Sequence, residues 1–179
     1  MAEEKEVKIT WTNYLAISTV LIAVCATLST FKGGSYSTRS LLNQTLAANQ
    51  WSYFQSKSIK GYLFESQISE LELQKMMLPA NDNSKAALFD ASIKSLHKKV
   101  DRYETEKVEI KKTAEKHEAI RDDCKIHSQE FGFAVIFLQV AILLSSIAAL
   151  MKKKYIWYLS LAIGSIGIFY FANGFFLFF

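Results

Sequence analysis

The chain of 179 residues is poor in the residues that staple or break a fold: it has two cysteines, one proline and seven glycines. A disulfide needs its two backbones within about 7 Å of one another. Cys25 lies in an apolar run and Cys124 in a charged one, so a disulfide framework is excluded and the redox compartment stays open. No phosphate-cradling glycine loop, nucleophile elbow or paired-histidine zinc signature occurs. Three stretches, Ile9 to Phe31, Phe131 to Met151 and Tyr155 to Phe179, contain no Asp, Glu, Lys, Arg or His. Ion- and proton-coupled transporters place ionisable groups inside their spans. Their absence counts against a coupled pump and leaves only passive or gated pores.

What is present gathers at the two ends. Half of the residues are hydrophobic, and each uncharged run meets the roughly 20 apolar residues that a helix needs to cross about 30 Å of hydrocarbon. No water is available there to satisfy backbone groups, so each run should be a helix. The expected class is an all-α membrane protein with a short tail at 1–10 and transmembrane helices at 11–31, 131–151 and 155–179. The first run exceeds the ~7–15-residue apolar core of a signal peptide and lacks a convincing cleavage site, so it reads as a retained anchor. Trp11 and Tyr14 open it, and Tyr155, Trp157 and Tyr158 open the last run, at the depth amphipathic aromatics favour.

Between these runs lies a polar middle with the only proline at its midpoint, in Leu78-Pro79-Ala80-Asn81-Asp82-Asn83-Ser84. Helical periodicity on both sides predicts a long antiparallel, coiled-coil-like helical hairpin over 35–130, turning at 79–84, between the first and second spans. Gly33 and Gly34 are expected to end or bend the first helix. Phe64, Ile68, Leu71 and Leu78 form a heptad-like seam on the first arm, interrupted by Lys75. Phe89, Ile93, Leu96, Val100, Tyr103, Lys107 and Ile110 step by four and three on the second, and the register continues through Ala114, His117, Arg121 and Cys124. The arms are therefore expected to pair tightly near the proline and to turn polar toward the membrane. A lone two-helix hairpin of this length buries little, which points to association of several copies.

The middle, residues 32–130, holds 16 Lys and Arg against 14 Asp and Glu, interleaved along both arms. That is a solvated helix face and no footprint for nucleic acid. Gln50, Trp51, Tyr53, Gln55, Lys57 and Gln139 are the candidate oligomer or ligand contacts. Trp51, Tyr53 and Phe54 could stack on a ligand or pack as an aromatic cluster between arms. Gln139 reads as a buried amide in need of a partner. His117, Cys124 and His127, spaced by seven and three, fall on roughly one helix face, with Asp123 and Glu130 nearby. A tetrahedral site requires a fourth ligand, so no metal or cofactor is assigned; the competing reading is a polar inner face.

Small residues recur at four-residue steps in two spans, Thr19-Ala23-Thr27 and Ala141-Ser145-Ala149, and could let helices approach. Ser160 and Gly164 stand one turn apart in the third, and Gly167, Asn173 and Gly174 interrupt its apolar character. The Lys152-Lys153-Lys154 loop should be cytoplasmic. That places the hairpin extracytoplasmic and the amino terminus cytoplasmic, although Lys32, Arg39, Arg121 and Lys125 pull the other way.

Two strings carry a resemblance. Ala48-Asn49-Gln50-Trp51-Ser52-Tyr53-Phe54-Gln55-Ser56-Lys57-Ser58-Ile59-Lys60 is one; Phe137-Leu138-Gln139-Val140-Ala141-Ile142, followed by the basic triplet and Trp157-Tyr158-Leu159, is the other. Over nearly its whole length the chain resembles a bacterial membrane-protein family called domain of unknown function 4337. The resemblance implies a bacterial membrane protein and supplies no activity or site residue. The reading is a non-enzymatic, multi-pass protein of the bacterial inner membrane that forms a homo-oligomer, contacts the lipid bilayer and has a scaffolding or sensing role, with a further protein partner conceivable. The alternative is an oligomeric pore with a polar vestibule. An enzyme or metal sensor using His117, Cys124 and His127 comes third.

Overall fold

A computed structural model describes residues 11–79 and 82–178, and among these every regular element is a helix. Helix α1 spans Trp11–Met76, α2 Asn83–Met151 and α3 Lys154–Phe176. All three are long and apolar enough over part of their length to cross a membrane. The tail at 1–10 and two residues of the expected turn, Ala80 and Asn81, lie outside the described residues. On either side of those two, the Asp82 amide donates to the Pro79 carbonyl at 3.1 Å.

Helix α1 does not end at Gly33-Gly34 but runs through both. Only the first of the two serves packing. A methyl group on Gly33 would sit 3.0 Å from Phe131 Cβ, while one on Gly34 would meet nothing within 4 Å. Gly33 is thus where α2 comes close, and the helix continues past it on that packing rather than on propensity.

The chain divides into two compact units, one taking in the chain up to Leu41 with Arg121–Phe179, the other Leu42–Ile120. In the first unit the core is built from Ile22 and Ala26 of α1 and Ala134, Leu138 and Ala141 of α2, flanked by Ile163, Tyr170 and Phe171 of α3. Helix α3 enters it by its small residues: Ser160, Gly164, Gly167, Asn173 and Gly174 are its buried positions. The glycines that interrupt its apolar character are therefore its packing face. Added methyl groups would collide with Ile22 at Gly164, Leu138 at Gly167 and the Phe131 ring at Gly174, at 3.0, 2.7 and 2.9 Å. Ser160 Oγ lies 2.7 Å from Ser145 Oγ and donates to the Ala141 carbonyl at 2.8 Å, which satisfies the hydroxyls buried there. Two residues turn the chain from α2 into α3. Lys152 adopts the left-handed region at φ 54°, and Lys153 is extended.

In the second unit, the four- and three-residue steps of α2 from Phe89 to Ile110 and on to Ala114 and His117 all turn inward, each buried or half-buried. Burial does not peak near the proline. The apolar side chains buried in this unit are Ala47, Ile68, Ile110 and Ala114, three of them far along the helices from Pro79. Small residues such as Ala47 and Ala114 let two helices close on each other. Phe64, Leu96 and Tyr103 are too large for that and stay half-buried.

Candidate functional site

The aromatic and polar band of α1 is met, within Leu42–Ile120, by a complementary set on α2. Asn43, Trp51 and Lys57 stand on the side of α1 that is turned inward or half-buried. The Trp51 indole N–H donates to Glu118 Oε1 at 2.9 Å, and its ring meets Phe54 edge-on at 5.6 Å. Asn43 Oδ1 lies 2.9 Å from His117 Nδ1.

Lys57 is the centre of the band. Its backbone lies in the pairing seam, and the long aliphatic stem lets the residue be 9 % exposed. The ammonium is ion-paired to Glu106 and lies over the Tyr53 and Tyr103 rings, at 5.2 and 4.8 Å from their centres. Arg102 Nε adds a second cation, 3.0 Å from the other Glu106 oxygen. Hydrogen bonding to Glu106 raises the Lys57 pKa against the opposing effect of desolvation, and the same bond lowers that of Glu106. Beside the pair runs a groove of about 400 Å³ lined by Tyr53, Lys57, Thr105, Glu106, Glu109 and Ile110. One turn on, Lys107 lies over Phe54 at 5.3 Å, and Phe64 stacks on Tyr103 at 5.8 Å.

Of the candidate contacts, Trp51 and Lys57 are thus committed to α2, Gln50 is half-buried, and Tyr53 and Gln55 are exposed. Gln139, read as buried, is exposed on α2. The inward positions around it belong to Ala134, Leu138, Ala141 and Ser145, and the helical repeat carries position 139 off that face.

The three metal candidates do not form one site. His117 pairs with Asn43. Cys124 is buried with its thiol free. In the first unit, His127 Nδ1 lies 2.8 Å from the Gly174 carbonyl, and its ring stacks on Tyr36 at 4.5 Å. Among the described residues, no group of three or more His, Cys, Asp or Glu side chains is arranged to hold a metal ion.

His127 belongs to a network that sequence reasoning missed. Asn173, fully buried, donates to Glu130 Oε2 at 2.7 Å and accepts the Phe178 N–H at 2.7 Å. The Leu177 N–H closes onto the Asn173 carbonyl at 2.8 Å, with Leu177 in the left-handed region. One side chain therefore ends α3 and ties it to α2. The available signal was Asn173 itself, an amide in an apolar run beside a glycine.

No curated protein and no solved structure matches the chain. A family model described as Domain of unknown function (DUF4337) matches residues 11–177, and the chain belongs to that family.

Proposed function

We propose that this is a non-enzymatic bacterial membrane protein that self-associates into a homo-oligomer with a scaffolding or sensing role. In this reading Leu42–Ile120 is an antiparallel helical hairpin. Its support is the order of the contacts: Trp51 with Glu118, Lys57 with Glu106, Phe64 with Tyr103 and Lys75 with Asp90, one number rising as the other falls. The short basic loop at Lys152–Lys154 supports a cytoplasmic amino terminus, with the hairpin outside the inner membrane.

The observation that carries self-association is the thinness of the second unit's core. Its buried apolar side chains are Ala47, Ile68, Ile110 and Ala114, two of them alanines, while Ile59, Tyr62, Leu63, Leu73 and Val108 are each more than half exposed. Each apolar side chain left in water forfeits about 1.5–3 kcal/mol available on full burial. Against catalysis stands the engagement of the titratable groups: Lys57 by Glu106 and two rings, His117 by Asn43, His127 by a carbonyl. A general acid or base must reach a substrate.

Native mass spectrometry of the protein in mild detergent tests the reading, followed by flux assays in liposomes. A defined homo-oligomer without ion flux is the expected outcome. A monomer at micromolar concentration overturns self-association, and flux from a verified oligomer transfers the protein to the pore reading.

A further inference from the structure

Helix α1 carries two seams in the second unit, on opposite sides. The inward one includes Ala47, Lys57, Gly61 and Ile68. On the outward side, nine positions spaced by three and four residues from Thr45 to Leu73 are all exposed, and none is charged; Ser52, Gln55, Ile59 and Tyr62 form their centre. Ile59 is 61 % and Tyr62 67 % exposed, with Leu63 beside them. The outward side of α2 differs. Its corresponding steps pass through Lys94, Lys98, Asp101, Thr105, Val108, Lys112 and Glu115, all exposed and five of the seven charged. The unit thus has one side suited to water and one suited to another helix.

We propose that this outward seam of α1 is the homo-oligomer interface, packing against the same seam of a second copy about a two-fold axis. The inference rests on the self-association reading and names its surface. Three features select a second copy as the occupant. The seam repeats every seven residues (Thr45, Ser52, Ile59, Ser66, Leu73), the spacing of a coiled-coil partner. It is uncharged, so two copies meet without burying like charges. The Gln55 carboxamide both donates and accepts, so it can satisfy its own counterpart across the axis. Copies anchored in one bilayer share a direction, so the two α1 helices run parallel and each position faces itself.

Single cysteines at 52, 59 and 66, in a Cys25→Ala/Cys124→Ala background, are oxidised in membranes alongside controls at 98, 101 and 112 of α2. Cross-linked dimer is expected at the first three positions and not at the controls. Ile59→Glu/Tyr62→Glu is expected to weaken association at least tenfold by sedimentation in detergent, with helical content unchanged, since both side chains are exposed in the single chain. An oligomer that cross-links at the α2 controls and tolerates the double substitution overturns this surface and leaves self-association standing. A protein monomeric in native mass spectrometry overturns both.

Discussion

Gly167→Ala adds one methyl group where the structure has no room for it. The new carbon would lie 2.7 Å from Leu138 Cγ, 2.8 Å from Cδ2 and 3.0 Å from the Leu138 backbone nitrogen. Leu138 is fully buried among Ile22, Ala26, Ala134 and Ala141, so its side chain has no empty space to swing into. The nitrogen can retreat only if α3 and α2 separate. Overpacking of this kind costs about 1–3 kcal/mol, offset by up to about 1 kcal/mol from replacing a helical glycine with alanine. Gly34→Ala is the internal control, because a methyl group there meets nothing within 4 Å and only the gain of up to about 1 kcal/mol applies. The two variants are therefore expected to differ by about 1–3 kcal/mol. SDS titration of the detergent-solubilised protein, followed by tryptophan fluorescence, reads this difference. Trp157 of α3 sits 6.3 Å from the Trp11 ring and donates to Ser18 Oγ at 3.1 Å, so its emission reports α3 leaving α1. If Gly167→Ala resists SDS as well as Gly34→Ala does, then α3 does not pack on Leu138 through Gly167.

Three more outcomes are expected. The raised Lys57 pKa and lowered Glu106 pKa make their ion pair a stabilising contact with two edges. It is present between the ordinary carboxylate and lysine values, lost as pH falls through the lowered Glu106 pKa, and lost as pH rises through the raised Lys57 pKa. The melting temperature should fall at both extremes of pH, and Lys57→Met/Glu106→Leu should flatten the profile; an unchanged profile in the double variant refutes the assignment. Asn173→Leu removes the donor to Glu130 and the acceptor for Phe178, and should cost about 1–3 kcal/mol in the same SDS titration, with faster proteolysis at the carboxyl terminus. No loss there would mean that α3 ends without this tie. Gln139→Leu should weaken the oligomer about three- to twentyfold if the exposed amide bonds across chains; sedimentation showing no change would place Gln139 outside any interface.

What the sequence showed was periodicity, and periodicity reports a face. The steps from Phe89 to His117 on α2 are the inward face because a 3.6-residue repeat leaves no other side for them. The three apolar runs are legible for the same elementary reason, length without charge. Partners are not legible. Nothing in the spacing of Asn173 indicates Glu130, 43 residues away, and nothing in Gly33-Gly34 says that one of the two faces Phe131. A glycine pair scores as a helix breaker by propensity, yet at a close helix crossing only glycine fits, and tertiary contact overrides propensity. Gln139 shows the same limit: polarity in an apolar run suggests burial, while within one chain the position is exposed because other residues claim the inward face.

The band around Lys57 has a consequence for the pairing of α1 and α2 in the second unit. Apolar contacts alone would fix the register poorly, because the buried apolar side chains are few and two are alanines. A slip of seven residues would exchange one modest apolar set for another. The polar contacts do not tolerate that slip. It would take Lys57 from Glu106, Trp51 from Glu118 and Asn43 from His117 at once, leaving polar groups at the helix interface unpaired. A buried ion pair adds little net stability over an apolar pair of the same shape, but breaking one is costly. The aromatic and polar stretch between Asn49 and Lys60 therefore sets the alignment of the two helices.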